Sequence, residues 1–509
     1  MVQLGFVIDH SRCIGCHACT VACKSENDVP VGKFRTWVKY TEQGEFPAVK
    51  RSFAVLRCNQ CTDAPCMSIC PTSALDKRDD GIVDLDQDAC IGCKSCMQAC
   101  PYDALYIDED TGTAEKCHFC AHRTEVGLAP ACAVVCPTEA IVPGDFDDPE
   151  SVVSRMKSSG ELTARKEEAG TKPNVFYKEA APAGLDPGLT NSAGGYLWAN
   201  QVPGDPLEAE RALAAAEEHA ARTTYDVDHQ PWWGNKVSAY LLTKSVSAGA
   251  LLAALPLLNP ETGRLPAPVS WAAPLLGLVF LAITGLLLVL DLKRPERFIY
   301  IFLRPNWDSW LVKGSVAITA YGALLTAMLG AEILGIELSA GLSKVLAYSA
   351  GAAALATAVY TAWLFGQAKG RVLWMKRGLA GNLAAHAAIA GATFVLPFAM
   401  FAGLGAQPVA VLLLAGLGVE LFLSLSEPKL APSGREVEYA RVMRVQGSGA
   451  LGQRHHLARW LLIFAVVNAA AGVFTGLGSV ALIAGLVGTV AVAVSEDVFV
   501  RAGQALQIS

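Results

Sequence analysis

The sequence predicts a chain of two unlike parts: a small α+β domain at the N terminus, followed by an all-α bundle of about eight helices that cross a membrane. All sixteen cysteines of the 509-residue chain lie at or before Cys136. Residues up to about 235 are rich in Asp, Glu and Lys, whereas long runs almost free of charge follow. Hydrophobic residues make up 52% of the chain and charged residues only 17%, which is consistent with a large membrane part.

The cysteines form four groups of four with short spacings. They are Cys13, Cys16, Cys19 and Cys23; Cys58, Cys61, Cys66 and Cys70; Cys90, Cys93, Cys96 and Cys100; and Cys117, Cys120, Cys132 and Cys136. In ferredoxins, closely spaced cysteines bind one [4Fe–4S] cluster, and the next one, followed by proline, binds the other cluster. Proline follows the last cysteine of three groups, whereas Lys24 follows Cys23. The sequence therefore predicts four [4Fe–4S] clusters in a tandem ferredoxin-like domain, with no cysteine left over.

Zinc sites and disulfides are the alternatives for such cysteines. Structural zinc sites usually use paired Cys-x2-4-Cys knuckles separated by a longer stretch. Disulfides within such short loops would strain most of the bonds. Both alternatives fit the spacing less well than iron–sulfur clusters.

Residues 1 to roughly 180 resemble the four-cluster electron-transfer subunit of the dimethyl sulfoxide reductase and polysulfide reductase family. The resemblance covers all sixteen cysteines, the long gap before Cys132 and the segment Gly170–Val175. It implies that the first and fourth groups pair and that the second and third groups pair. The implied ligand sets are Cys13, Cys16, Cys19 and Cys136 for cluster A; Cys117, Cys120, Cys132 and Cys23 for cluster B; Cys58, Cys61, Cys66 and Cys100 for cluster C; and Cys90, Cys93, Cys96 and Cys70 for cluster D.

Eight apolar runs follow, each long enough for a helix that crosses the ~30 Å hydrocarbon core. They cover roughly 237–257, 269–290, 309–333, 343–366, 379–402, 406–425, 457–474 and 477–495. Eight soluble core helices of this kind would have no polar face. Residues 181–235, with a short acidic helix candidate from Pro206 to Arg222, predict a tether or a strap. The predicted domains are 1–180 for the clusters, 181–235 for this linker and 236–509 for the membrane anchor.

The membrane half resembles the quinone-interacting anchor of the polysulfide reductase (NrfD-like) family. The matching stretches are Pro231–Trp233 leading into Tyr240 and Lys244, then Asp291–Phe298, and Arg501–Gln504 near the end. In most relatives the two halves are separate subunits, whereas here they are fused. The resemblance implies an exchangeable quinone, menaquinone or ubiquinone.

Ionisable residues in the predicted spans are candidates for a quinone site, because such residues are costly in a bilayer and usually mark a pathway or site. Lys244, Asp291, His386 and Glu420 all fall in the half of the membrane next to the N-terminal domain, and Tyr240 is a weaker candidate. His and a buried carboxylate suit the proton transfers of quinone chemistry. The alternatives are a Lys244 that snorkels to the interface, an ion pair of Asp291 with Arg294 or Arg297, and a purely structural hydrogen bond from His386.

No haem is predicted, because no span carries the paired histidines that it would need. The adjacent His455 and His456 point in diverging directions, and an interfacial position is expected for them.

The distribution of charge predicts the orientation in the membrane. The start, Met-Val-Gln-Leu-Gly-Phe-Val, lacks a basic segment before an apolar run, so no signal peptide is expected. With eight spans, loops and tail on the side of the N-terminal domain hold fifteen Lys and Arg residues, against Arg264 and Lys344 on the other side. The positive-inside rule then predicts a multi-pass protein of the cell inner (cytoplasmic) membrane with the ferredoxin domain in the cytoplasm. Export with a partner, with an odd number of spans, is the alternative.

These features predict an electron-transfer and membrane-anchor subunit of a membrane-bound molybdopterin-type oxidoreductase complex. The resemblance implies a catalytic partner with a molybdenum or tungsten bis-pterin cofactor. No nucleotide loop, metal-hydrolase motif or nucleophile elbow is present, so no catalytic residue is expected in this chain, and nothing suggests nucleic acid. The alternatives are the equivalent subunit of a nickel–iron hydrogenase complex, a proton-translocating energy-coupling module and a purely structural anchor.

Overall fold

The computed structural model describes residues 2–192, 221–227 and 233–509. It confirms the predicted fold class, with a ferredoxin-type part of strands and short helices followed by a helical part with eight candidate membrane spans.

The N-terminal part contains two four-stranded sheets and two small hairpins. The sheet orders are β8-β1-β10-β9 and β11-β12-β2-β3, and the hairpins are β4-β5 and β6-β7. The strands are β1 (Leu4–Asp9), β2 (Thr36–Gln43), β3 (Lys50–Arg57), β4 (Leu75–Lys77), β5 (Val83–Leu85), β6 (Leu105–Ile107), β7 (Ala114–Lys116), β8 (Ile141–Asp145), β9 (Leu162–Thr163), β10 (Val175–Lys178), β11 (Thr190–Ser192) and β12 (Ala221–Tyr225).

Short helices carry five of the sixteen cysteines, and loops carry the others. The helices are α1 (Ala18–Glu26), α2 (Pro65–Ile69), α3 (Ser95–Ala99), α4 (Ala121–Thr124), α5 (Ala131–Val134), α6 (Val152–Ser158) and α7 (Pro182–Leu185). His17 before α1 and Lys94 before α3 both adopt the left-handed conformation. Each lies directly after the second cysteine of its group, so two loops turn in the same way around their thiols.

Parts of the segment between the two halves belong to a sheet. Strand β12 pairs antiparallel with β2, and β11 pairs parallel with β12. The predicted helix from Pro206 to Arg222 lies outside the described residues, except that Ala221 and Arg222 lie in strand β12. Where it is described, this segment therefore extends the ferredoxin-type part.

The membrane part follows the predicted spans closely. Its long helices are α8 (Asn235–Ala254), α9 (Val269–Leu290), α11 (Trp310–Ile333), α12 (Ala340–Gln367), α13 (Leu379–Phe401), α14 (Gln407–Ser426), α16 (Gly449–Thr475) and α17 (Gly478–Ala505); α10 (Tyr300–Leu303) and α15 (Glu436–Gln446) are shorter connecting helices. Eight helices of the described chain are long and apolar enough to cross a membrane. The last one continues to Ala505 instead of ending near residue 495.

Helices α8 and α13 form the centre of the bundle, and glycines allow their close contact. A Cβ atom at Gly249 would lie 1.9 Å from the carbonyl oxygen of Ala387, and one at Gly391 would lie 2.0 Å from the backbone of Gly249. Any larger side chain at either position would push the two helices apart. This close contact helps to fix α13, which carries His386.

The ferredoxin-type part rests on the loops of the bundle. Lys94 forms an ion pair with Asp291 at 2.9 Å. Arg294 donates to the carbonyl of Thr111 at 2.5 Å, and Arg371 donates to the Gln98 side chain at 2.9 Å. Loops that the positive-inside argument assigned to one side therefore do lie on the side of the ferredoxin-type part.

Candidate functional site

The structure brings the cysteine groups together in pairs. The side chain of Cys136 interacts electrostatically with Cys13, and that of Cys23 interacts with Cys117, Cys120 and Cys132. The second and third groups exchange their last cysteines in the same way. Cys100 is close to Cys58 and Cys66, and Cys70 is close to Cys90, Cys93 and Cys96.

We name the resulting sets A to D. Set A is Cys13, Cys16, Cys19 and Cys136; set B is Cys23, Cys117, Cys120 and Cys132; set C is Cys58, Cys61, Cys66 and Cys100; set D is Cys70, Cys90, Cys93 and Cys96.

The four thiols of set B surround one cavity. The cavity is lined by all four of these cysteines together with Arg57, Phe6 and Phe119. Four thiolates around one space are the donor set that a [4Fe–4S] cluster requires. The residues present therefore fit this cofactor.

Most of the thiols are buried, and this burial changes their acidity. Burial is the largest cause that raises the pKa of Cys19 to about 11 and that of Cys93 to about 12. Free thiols in these positions would keep their protons near neutral pH, because a buried thiolate without a partner is costly. Iron binding replaces those protons, so occupation of these sets is coupled to proton release.

The sets follow one another in a line from A to D. Cys19 of set A interacts with Cys132 of set B, and Cys117 of set B interacts with Cys58 of set C. Cys66 of set C interacts in turn with Cys70 of set D. At the A end, Cys16 is exposed.

Set D lies against the membrane part. The indole of Trp233 donates to the carbonyl oxygen of Cys93 at 3.5 Å, and the side chain of Asn306 donates to that of Cys70 at 2.8 Å. Arg297 donates to the carbonyl of Cys90 at 3.1 Å. The segment before α8 and the loop between α9 and α11 therefore hold the last set of cysteines directly at the bundle.

Inside the bundle, His386 joins two carboxylates. Its Nδ1 atom lies 2.9 Å from Glu496, and its Nε2 atom lies 3.1 Å from Glu420. Asn382 donates to the same Glu420 side chain. All three ionisable side chains are nearly fully buried, so they form a polar cluster within an apolar bundle.

This cluster lines a cavity in the bundle. The wall contains polar residues towards the ferredoxin-type part, among them Lys376, Glu427, Gln446 and His455. Within the described chain, one oxygen of Glu496 and the side-chain oxygen of Gln446 are buried without a hydrogen-bond partner. Such atoms indicate a place for water or for a polar ligand, because buried polar groups are normally paired.

Aromatic side chains fill the space between Cys93 and this cavity. Trp233 stacks on Trp374 with ring centres 5.2 Å apart, and Phe365 packs between them and Phe499. Phe499 itself lines the cavity. The loop of set D and the His386 cluster are thus joined by one continuous group of aromatic rings.

Two of the other predicted residues lie outside this cavity wall. Lys244 is fully buried and donates to the carbonyl of Ala358 and to Thr361, so it does not snorkel to the interface. Tyr240 is buried, and both it and Lys244 interact electrostatically with Glu496.

Asp291 has a partner that was not predicted from the sequence. The alternative role for Asp291 was an ion pair with Arg294 or Arg297; in the structure Asp291 pairs instead with Lys94, which lies far away in the sequence.

Two residues of the polar cluster, Glu496 and Asn382, were not predicted from the sequence. Glu496 and Asp497 follow the last apolar run, and the predicted span ends before them because two adjacent charges usually end a span. The helix continues through them, and Glu496 points into the bundle while Asp497 pairs with Arg501. Asn382, which bonds to Glu420, is four residues before His386, one helical turn away, and this spacing is a signal that could have found it.

Comparisons with known proteins agree with both halves. Residues 49–146 match the family described as a 4Fe-4S dicluster domain, and residues 223–426 match polysulphide reductase, NrfD.

Several curated relatives resemble the first half. The chain is 39% identical over 261 residues to a putative dimethyl sulfoxide reductase iron-sulfur subunit of Halobacterium salinarum, covering 45% of this chain and 96% of that protein. It is 40% identical over 187 residues to one of the polysulfide reductase proteins of Wolinella succinogenes, covering 36% of this chain and 98% of that protein. It is 44% identical over 200 residues to a tetrathionate reductase subunit of Salmonella typhimurium, covering 38% of this chain and 80% of that protein.

Fold, cysteine sets and apolar helices together define an iron–sulfur electron-transfer subunit joined to a membrane anchor. The chain belongs to the family of iron–sulfur subunits of the dimethyl sulfoxide and polysulfide reductases, fused to an NrfD-type anchor. This confirms the family resemblance found in both halves of the sequence.

Proposed function

We propose that this chain carries electrons between a catalytic subunit and a membrane quinone through four [4Fe–4S] clusters. The observation that carries this proposal is the line of four cysteine sets, which begins at the exposed Cys16 and ends against the membrane helices at Cys93. Sets A to D are the proposed cluster ligands, and bound clusters supply four one-electron centres. The predicted domains 1–180, 181–235 and 236–509 remain the proposed division of the chain.

The proposed quinone site is the cavity beside His386. A quinol that becomes a quinone releases two electrons and two protons, and the reverse reaction takes up the same number. The cluster of His386, Glu420 and Glu496 is suited to exchange these protons, because its imidazole lies within hydrogen-bonding distance of two carboxylates and a proton can pass between these groups. The aromatic side chains from Trp233 to Phe499 connect set D to this cavity. Tyr240 and Lys244 interact electrostatically with Glu496 and so influence the polar cluster from outside the cavity wall.

Asp291 takes a different role in this proposal. Its ion pair with Lys94 holds the loop of set D against the end of α9. We therefore assign it to the positioning of the electron-transfer loop and not to quinone binding.

The proposed location is the cell inner (cytoplasmic) membrane, with the ferredoxin-type part on the cytoplasmic side. Support comes from the basic loops between α9 and α11, α12 and α13, and α14 and α16, which lie on the side of this part. Positively charged loops favour the cytoplasmic side.

The proposed partner is a catalytic subunit with a molybdenum or tungsten bis-pterin cofactor. Relatives of the first half are subunits named for dimethyl sulfoxide, polysulfide and tetrathionate reductases. The end of the line of sets at Cys16 is the proposed contact surface, because the apolar side chains of Ile14 and Val134 are exposed there beside set A. A subunit that exchanges electrons with set A must approach this end closely.

The order of the sets predicts opposite effects of two cysteine substitutions. Cys70→Ser, in set D, should abolish the reduction of the remaining clusters by added quinol, because it removes a ligand at the membrane end. Cys136→Ser, in set A, should leave that reduction intact for the clusters of sets B to D. Electron paramagnetic resonance (EPR) of the purified protein after mixing with a quinol measures both outcomes. Equal loss in the two variants would contradict the proposed order.

The proton-exchange role of the His386 cluster predicts slow quinol oxidation after its removal. His386→Gln and Glu420→Gln should each slow quinol-driven cluster reduction by about 100-fold, since positioned acid–base groups contribute about that much or more. Cluster spectra at full chemical reduction should stay unchanged. His456→Gln is the matched control, because His456 is an exposed histidine outside this cavity. If both cavity variants reacted at the rate of the control, the cavity beside His386 would be excluded as the quinone site.

The proposed orientation predicts that protease added to intact, right-side-out cells leaves the ferredoxin-type part uncut. The same protease added to inverted membrane vesicles should release fragments of this part, which an antibody against residues 1–180 would detect. Cleavage of this part in intact cells would show that it lies on the opposite side of the membrane.

The proposed partner is tested by purification of the complex from native membranes. Metal analysis of the catalytic subunit should find molybdenum or tungsten. Nickel in that subunit would instead identify a hydrogenase complex.

A further inference from the structure

Two cations are buried in the ferredoxin-type part at junctions between neighbouring cysteine sets. Arg57, at the end of β3, is 0% exposed, and Lys116, at the end of β7, is 2% exposed. A cation in a protein interior is strongly unfavourable unless an opposite charge lies close to it. Each of these side chains therefore needs a nearby negative group.

No carboxylate forms a direct ion pair with either cation among the residues that the structure describes, although Glu115 interacts electrostatically with the neighbouring Lys116. Neither cation has a carboxylate oxygen within 4.0 Å in that part of the chain. Other buried cations of the same domain do: Arg35 pairs with Glu115 at 2.6 Å, and Lys39 pairs with Asp226 at 3.3 Å. The difference points to another kind of anion beside Arg57 and Lys116.

Arg57 faces the thiols of two sets. Its guanidinium donates to the sulfur of Cys132 at 3.2 Å and lines the cavity of set B. Its charge also acts on Cys19 of set A. The aromatic ring of Phe6 covers the guanidinium at 4.3 Å, so water does not screen this charge. The Nε–H of Arg57 has no hydrogen-bond partner among the described residues.

Lys116 lies between sets B and C. Its ammonium group donates to the carbonyl oxygens of Val83 and Cys117, neither of which carries a net charge. Its charge acts on Cys58 and Cys66 of set C.

We infer that Arg57 and Lys116 are the counter-charges of the bound clusters and raise their reduction potentials, Arg57 at sets A and B and Lys116 at set C. This inference rests on the proposed cluster ligation. A cluster with four thiolate ligands gains one electron and no proton on reduction, and the added negative charge is stabilised by a fixed cation nearby. Arg57 and Lys116 are positioning residues, because they would affect electron transfer through their charge beside the clusters and not as cluster ligands.

Redox titration of the full-length protein in detergent, followed by EPR, tests this inference. In Arg57→Gln, the ratio of reduced to oxidised cluster at a fixed potential should fall about tenfold for two clusters, which equals about 59 mV for a one-electron couple. Arg57→Lys should keep values near those of the unmodified protein because it keeps the charge. Lys116→Gln should shift the potential of the cluster at set C more than Arg57→Gln does, because Cys58 interacts more strongly with Lys116 than with Arg57.

The control variant is Arg12→Gln. Arg12 is adjacent to Cys13 of set A, but its side chain is 48% exposed and pairs with Glu139. Because water screens an exposed charge, its loss should change the potentials much less than the loss of Arg57.

Iron analysis separates this inference from the proposed function. Absence of iron from the unmodified protein would overturn the proposed function itself. Full iron content with unchanged potentials in Arg57→Gln would overturn the inference alone, and so would loss of iron in both Arg57→Gln and Arg57→Lys, which would indicate a role in packing only. Loss of iron in Arg57→Gln with normal iron and potentials in Arg57→Lys would support it, because the charge alone would then decide.

Discussion

The ferredoxin-type part combines ordinary apolar clusters with a core region in which cysteine thiols, the donors for iron–sulfur clusters, make up much of the buried surface. One of its hydrophobic clusters has eight cysteines from sets B, C and D among its eighteen buried residues, packed with residues such as Ala74, Leu75 and Ile107. These cysteine side chains are short, and their buried thiols favour the protonated form when no metal is bound. Strand pairing and helix packing in this region are therefore coupled to the occupation of the sets.

The same constraint explains how the two halves fit together. Loops that hold cysteines have little freedom, so the bundle has to adapt to them through polar contacts with their backbone. Asn306 binds the carbonyl of Cys70, and Arg297 binds that of Cys90. Gln98, two residues before Cys100, contacts both Arg371 and Gln504. Because the two halves are fused in one chain, the contacts between them do not depend on protein concentration.

Much of the fold could be predicted from the sequence, because its two strongest signals are local. Apolar runs long enough to cross a bilayer predicted the eight spans, and the cysteine spacing predicted a ferredoxin-type domain. Contacts between distant residues were harder to predict. The ion pair of Lys94 with Asp291 joins residues almost two hundred positions apart, and no local pattern links them. Glu496 was overlooked because a charged pair after an apolar run usually ends a span, whereas here the second charge alone turns to the surface.

Helix α17 runs from the middle of the bundle to the ferredoxin-type part without a break. Glu496 lies beside His386, and Gln504, about 12 Å further along the same axis, bonds to Gln98 beside Cys100. A straight helix behaves as a stiff rod over this length. Helix α17 therefore holds the His386 cluster and the loop before Cys100 at a fixed separation along one axis, so a shift of one along this axis would move the other.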